Sequence, residues 1–216
     1  KASVFEDLTV KDSARYEYIL PNITYGKTFF SNTLGAFDFS SNAYYSNYET
    51  NRHKKFLVNN INWSPFSKIT KNGFVNTLEG MIKNTNYETK NTTKYKDDTT
   101  QNELQGVLSH KTSLPMKKDG IKYSKLFSPN FMLRYAPGHM RNLKSDGVML
   151  NYSNIYALNK TGEIEDGLSA ILGIDYNINE KNGDSEIEKL SLSLGQVFSN
   201  KENLGMPSQS SLDQKS

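Results

Sequence analysis

Chemistry that breaks bonds needs a nucleophile, a base or a metal ion held close together. This sequence offers few candidates. Its three histidines, His53, His110 and His139, are spaced neither as a metal site nor as part of a catalytic triad, and no G-x-S-x-G elbow accompanies them. There is no cysteine, so disulfide frameworks and thiolate-bound metals are excluded. Carboxylates cluster at Asp97–Asp98, Glu163–Glu165–Asp166 and Glu186–Glu188. All three clusters fall in expected turns or strand ends, where a solvated charge is the ordinary state. A paired-carboxylate glycosidase needs two such groups facing each other across a cleft, and nothing in the sequence brings them together. Calcium loops and glycine-rich phosphate loops are also absent. The N-x-[ST] matches at Asn22, Asn91, Asn151 and Asn159 are expected by chance in an Asn-rich chain. The sequence therefore predicts no catalytic residue, no cofactor and no metal.

Charge excludes a further class. The 26 Lys and Arg are scattered among 23 Asp and Glu, for a net charge of +3. A nucleic-acid binder concentrates its basic residues in a patch, and none is visible. No apolar run approaches the ~20 residues of a spanning helix. The chain begins at Lys1 without a charged-then-apolar leader, which reads as an internal fragment.

The elements that must position any site are strands. Only 36% of the chain is hydrophobic, below the roughly 45–50% of ordinary domains, yet it holds 13 Tyr and 11 Phe. The apolar residues recur with period two. Leu190, Leu192, Leu194 and Phe198 share one parity, against Ser191, Ser193 and Gly195. Leu168, Ala170, Leu172, Ile174 and Tyr176 oppose Ser169, Gly173 and Asp175. Val148, Leu150, Tyr152, Tyr156 and Leu158 oppose Asn151 and Ser153, which predicts a strand over Gly147–Leu158. Phe37, Phe39, Ala43 and Tyr45 behave alike, and Tyr16–Lys27 reads as an extended segment broken by Pro21. About nine strands of roughly 10–13 residues result, joined by turns that include Asn179–Asp184. Asn84–Asn102 reads as a long exposed loop and Ser199–Ser216 as a polar tail. Alternating segments of about 10 residues mark an outer-membrane barrel, with one face toward lipid and one toward a polar lumen. The expected fold is all-β: one antiparallel barrel domain, of which residues 1–216 are a segment. Trp63, Tyr135, Tyr156 and Tyr176 are expected near strand ends, as in an interfacial girdle. A porin or receptor barrel, or a secreted β-sandwich or β-helix-like binding module, shares parts of this pattern. Strand length argues against the soluble forms.

The most distinctive stretch is Phe127–Asn142, FSPNFMLRYAPGHMRN. Pro129 is expected to begin a strand and Pro137-Gly138 to end it. His139, Met140, Arg141 and Asn142 then form a turn, where His139 and Arg141 fix the turn's hydrogen bonds. By parity Arg134 lies opposite Phe131, Leu133 and Tyr135, and so faces the lumen. Ser169, on the face opposite Leu172, is expected to tolerate arginine where Leu172 does not.

The pattern S/T-P-x-x-x-L-R-[YF]-x-P-x-H-x-R-N resembles the lipopolysaccharide-assembly family LptD, also called organic solvent tolerance protein (OstA), especially its alphaproteobacterial members. Tyr18–Gly26 (YILPNITYG) and Met206–Ser216 (MPSQSSLDQKS) are similar to two further segments of that family, in the same order. The residues carrying the central match are Pro129, Arg134, Pro137, His139, Arg141 and Asn142. The resemblance implies the middle of a very large barrel in the outer membrane of a Gram-negative bacterium, without its periplasmic jelly-roll domain and without the barrel ends. It implies lipopolysaccharide as cargo, the plug lipoprotein LptE as partner, and the bridge protein LptA as a partner of the missing N-terminal domain. The activity implied is physical transport, with outer-membrane lipid around the barrel and lumen Lys and Arg available to anionic headgroups.

Overall fold

The computed structural model describes residues 1–9, 15–48, 52–92, 95, 98–139, 141, 143, 148–160, 162–183 and 185–206. Among them there is no α-helix. The strands are β1 (Ser3–Glu6), β2 (Tyr16–Ser31), β3 (Gly35–Tyr48), β4 (His53–Ser64), β5 (Lys68–Ile69), β6 (Val75–Lys90), β7 (Gln101–Ser113), β8 (Met116–Asp119), β9 (Tyr123–Ala136), β10 (Gly167–Asn182) and β11 (Ser185–Ser199). They form one 11-stranded sheet in the order β1-β2-β3-β4-β6-β7-β9-β10-β11, with β5 beside β6 and β8 beside β9. Neighbours in sequence are neighbours in space, and the pairings are antiparallel. The chain divides into two compact units: Lys1–Trp63 with Met81–Gln105 (unit 1), and Ser64–Gly80 with Gly106–Ser216 (unit 2).

The long strands outrun the sequence estimate. β2, β6 and β10 each run 16 residues. Part of the expected loop Asn84–Asn102 is strand, because β6 continues to Lys90 and β7 starts at Gln101. In Asn84–Lys90 the buried residues Thr85, Tyr87 and Thr89 alternate with Asn84, Asn86 and Glu88. Threonine and tyrosine favour strands as aliphatics do, so the period is real although few of these residues are aliphatic. The expected turn Asn179–Asp184 shrinks likewise, since β10 extends to Asn182.

Two further expectations are corrected. Pro129 does not begin a strand; it lies in the interior of β9. Its missing N–H meets no ladder there, because β7 ends opposite Asn130 and β8 resumes opposite Phe127. The proline thus sits at a gap between two partner strands, where no donor is needed. Residues 148–158 are not a strand either but a series of turns. Asn151 and Asn154 divert the backbone: Asn151 Oδ1 accepts from Ser153 N at 2.9 Å, and Asn154 Oδ1 from Asn151 N at 2.8 Å. Such local side-chain bonds compete with strand pairing.

Each unit has an apolar and a polar face. In unit 2 the apolar face carries Phe131, Leu133 and Tyr135 of β9, Leu168, Leu172 and Ile174 of β10, and Leu190, Leu192 and Leu194 of β11, all exposed. A concavity of about 620 Å³ lined by Phe131, Leu172, Ile174 and Leu194 opens on it. In unit 1 the apolar face carries Ile23, Tyr25 and Phe29 of β2 and Leu57 and Ile61 of β4, also exposed. Phe37 stacks on Trp63 there, with centroids 6.3 Å apart, and Trp63 Nε1 donates to Leu34 O at 2.7 Å.

Candidate functional site

The polar face of unit 2 is covered by the connection between β9 and β10. Small residues make this possible. Gly173 of β10 faces Gly195 of β11 across the ladder. A Cβ on Gly173 would lie 1.9 Å from Tyr156 Oη, and one on Gly195 would lie 2.4 Å from Ile155 Cδ1. The two glycines form a notch, and Tyr152, Ile155 and Tyr156 fill it. Beside it, Asp175 accepts hydrogen bonds from Tyr152 Oη (2.7 Å), Ser193 Oγ (2.7 Å) and Asn130 Nδ2 (2.8 Å).

Arg134 anchors the rest of the connection. Its register partners are Ser109 on β7 and Ser169 on β10, so small side chains flank the guanidinium on both sides. Only 1% of Arg134 is exposed. Nε and Nη2 donate to Leu158 O at 3.1 and 2.8 Å, and Nη1 donates to Glu165 O at 2.9 Å. Nη1 also pairs with Glu165 Oε2 at 3.1 Å, and Lys160 Nζ lies 3.3 Å from the same oxygen. One carboxylate therefore serves two buried cations. Burial holds the Lys160 ammonium below the usual lysine range, against the attraction of Glu165. Lys160 Nζ, Glu165 Oε1, Ser169 Oγ and Tyr156 Oη make no hydrogen bond among the described residues. At the rim Arg141 Nη1 pairs with Glu163 Oε1 at 3.5 Å and Lys201 pairs with Asp166. Leu143 N donates to Gly205 O at 2.6 Å, and Met206 is fully buried nearby in sequence to that contact.

The six motif residues thus part company. Arg134 and Arg141 both tie down the connection; Arg134 is opposite Phe131, Leu133 and Tyr135 as parity required. Pro129 lies on the apolar concavity, Pro137 and His139 are exposed just past β9, and Asn142 lies outside the described residues. Glu165 and Asp166, expected as solvated turn charges, are buried. Ser169, expected to tolerate arginine, is buried beneath the connection and has no room for one. Tyr156 belongs to the connection and Tyr176 to the interior of β10, so neither joins a strand-end girdle. Sequence reasoning alone does not single out Lys160, Gly173 and Gly195 as partners of Arg134's connection. The visible signal was a run of Ser and Gly on one face of adjacent strands, which leaves room for something to lie there.

The polar face of unit 1 is built differently. Tyr44, Phe56, Tyr87 and Tyr95 form an aromatic cluster, with Phe56 stacked on Tyr44 (5.2 Å) and Tyr87 (5.4 Å) and edge-on to Tyr95 (4.9 Å). Beyond it β2 and β3 set carboxamides and hydroxyls on this face, and charged groups share it: Glu17 accepts from Ser46, and Glu103 Oε1 accepts from Tyr87 Oη at 2.8 Å. Asn42 Nδ2 donates to Asn22 Oδ1 and Thr24 Oγ1, each at 3.0 Å, and Asn60 Nδ2 reaches Ser40 Oγ at 3.4 Å. Thr28 Oγ1 donates to Asp38 Oδ1. Among the described residues, no three His, Asp or Glu side chains gather as a metal site. No protein-family model matches this chain, and no curated protein matches it.

Proposed function

We propose that this chain is a segment of an outer-membrane β-barrel, and that the barrel is the lipopolysaccharide translocon its motifs resemble. One observation carries the barrel reading: the side chains are distributed inside out. Leu172 and Tyr135 stand 50% and 54% exposed on one face, while Arg134 is buried on the other. Water penalises that arrangement, and lipid favours it. Exposed patches of this extent mark a surface that meets something apolar. Strands of 12–16 residues exceed the roughly 5–6 of globular sheets and are long enough to cross a bilayer at a tilt. Past the apolar stretch of unit 2 the strands end in ion pairs such as Lys181–Asp119 (3.1 Å) and Lys189–Glu180 (2.9 Å), as a headgroup boundary favours. Among the described residues β11 has β10 alone beside it, and further barrel strands would cover that edge, which otherwise templates aggregation.

The lipopolysaccharide assignment rests on the three sequence matches. In this reading the protein is a transporter with no bond chemistry. Lipopolysaccharide is its cargo, outer-membrane lipid surrounds it, and LptE and LptA are its protein partners. Arg134 is not a free phosphate ligand, since four of its donor contacts are spent on residues 158 and 165.

Two experiments test the two levels. The full-length protein should fractionate with the outer membrane and migrate faster unheated than boiled in detergent gels; a soluble monomer that needs no detergent refutes the barrel. Depletion should strand lipopolysaccharide short of the cell surface. Normal surface lipopolysaccharide after depletion leaves a barrel of another kind, a porin or receptor.

A further inference from the structure

The apolar face of unit 2 turns cationic at one end. Lys118 of β8 and Lys125 of β9 are register partners, two residues beyond the Met116–Phe127 pair on the same face. Both are exposed, and among the described residues neither is paired with a carboxylate. Residues directly opposite hold their Cβ atoms about 4.5–5.5 Å apart, and like charges so placed repel. The neighbouring carboxylates are engaged elsewhere. Asp119 and Glu186 lie on the other face and pair with Lys117 and Lys181 there. On the apolar side Glu180, two residues past the Ile178 that faces Lys125, is held between Lys122 (3.3 Å) and Lys189 (2.9 Å). Lys68, opposite Asn76, adds a cation to this face, since Asn76 Oδ1 accepts from Thr112, the register partner of Phe131.

The apolar concavity opens where the strand beside β9 is interrupted. β7 ends at Ser113 and β8 begins at Met116. The break leaves the hollow of about 620 Å³, lined by Phe74, Leu114, Pro129, Phe131, Leu172 and Leu194 among others. Lys125 and Pro129 are four residues apart on β9, about 14 Å of strand. That is close to the hydrocarbon depth of one leaflet, about 15 Å. Phe127 lies between them, flanked by its register partners Met116 and Tyr176. Two cations, an apolar track and a hollow thus follow one another in the order of a lipid's phosphate and acyl chain. The connections give the leaflet. Residues 183–184 join β10 to β11 at the lysine end, while 30 residues join β9 to β10 at the other. Outer-membrane barrels keep short turns on the periplasmic side and longer loops outside, so the lysines stand at the periplasmic leaflet, which is glycerophospholipid.

We propose that this face holds one anionic glycerophospholipid, its phosphate between Lys118 and Lys125 and one acyl chain in the hollow. The phosphate relieves the repulsion of the two ammonium groups, and basic residues at a membrane surface favour anionic lipid over zwitterionic. The lipid is a resident of the barrel wall and not a cargo. The inference rests on the barrel reading, which supplies the leaflet.

The full-length protein in neutral detergent, stripped of lipid, is mixed with phosphatidylglycerol, phosphatidylcholine or glycerol 3-phosphate, and native mass spectrometry reads what it retains. Phosphatidylglycerol should be retained in preference to both others, and less so at high salt. Lys118→Gln and Lys125→Gln should each weaken retention about fivefold, and together about thirtyfold. Leu194→Trp, which fills the hollow and leaves the lysines in place, should weaken it too. Heat-shifted gel migration of the same samples reports folding, so a variant that fails to fold is recognised and the others still decide. Equal retention of phosphatidylcholine overturns the proposal, as does retention indifferent to the double lysine substitution. Glycerol 3-phosphate held as well as the lipid also overturns it, because the hollow then has no part. So does a dimer of the chain that shuts lipid out. A heat-modifiable protein that retains no phosphatidylglycerol refutes the lipid site and keeps the barrel; absence of the heat shift removes the barrel and the leaflet with it.

Discussion

The polar faces of the two units begin from similar material, strands that set Ser, Asn, Gly and Thr against apolar neighbours, and end in opposite states. In unit 2 small residues make a seat: Gly173 and Gly195 admit Ile155 and Tyr156, and Ser109 and Ser169 admit the backbone around Arg134. In unit 1 Gly26 faces Ser40 across the ladder, and a Cβ on Gly26 would meet, among the described residues, nothing closer than Phe39 O at 3.7 Å. The difference lies in the connections. A 30-residue span separates β9 from β10, long enough to fold back, and it brings Lys160 and Glu165 to Arg134. Small residues on the polar face of a strand pair therefore serve as a socket where a long connection folds back over them, as in unit 2.

The largest expected effect breaks the socket. Arg134→Ala leaves Glu165 buried against Lys160 alone and strips three backbone hydrogen bonds. Removing one partner of a buried ion pair destabilises by about 3–5 kcal/mol. Limited proteolysis should then cut within residues 148–160, a segment that should resist cleavage in the parent protein. In unit 1, Asn42→Ala removes the side-chain hydrogen bonds to Asn22 and Thr24 and should leave proteolysis of 148–160 unchanged. Protection of 148–160 in the Arg134→Ala protein would mean that the notch alone holds the connection.

The apolar faces, by contrast, should not distinguish the units. Leu172→Arg and Ile61→Arg each put a charge where lipid is expected, at about 2–4 kcal/mol near the bilayer midplane. Both should reduce the heat-modifiable fraction in outer-membrane preparations. If Ile61→Arg assembles normally while Leu172→Arg does not, only unit 2 turns that face to lipid.

A third substitution isolates packing from charge. Gly195→Ala drives a methyl toward Ile155, and such overpacking costs typically about 1–3 kcal/mol. Gly26→Ala meets only open contact and should be neutral. Amide hydrogen exchange over residues 152–158 should quicken in the first and not in the second; equal exchange would show that the connection adjusts freely over its seat.

The sheet was legible in the sequence because alternation needs only two residue classes, and Leu190, Leu192 and Leu194 display it without help. Arg134's side was legible for the same reason. The socket was not. Val148, Leu150, Tyr152 and Tyr156 alternate as well as a strand does, and only the asparagine turns at Asn151 and Asn154 and the distant notch override them. Glu165 looked solvated because its partners are 5 and 31 residues away, at Lys160 and Arg134, and a charge in a turn carries no mark of what will cover it. The place of Pro129 is hidden for a related reason: its tolerance depends on where β7 ends, a fact of pairing and not of local sequence.

The smallest effect concerns pH and again separates the units. Burial depresses the Lys160 pKa in the folded protein relative to the ordinary ~10.4 of an exposed lysine. Between the folded and unfolded values the opened state binds more protons than the seated one. Seating therefore gains as pH rises through that window and is complete above the unfolded value; it weakens as pH falls through the folded value. Exchange protection of residues 152–158, corrected for the intrinsic pH dependence of exchange, should grow on moving toward alkaline pH. Lys160→Met should abolish that slope while keeping the seat filled, whereas strand β3 of unit 1, with no buried lysine against it among the described residues, should show no such slope in either protein. A slope that survives Lys160→Met would assign the titration to another group and leave the buried ammonium without a part in holding the connection down.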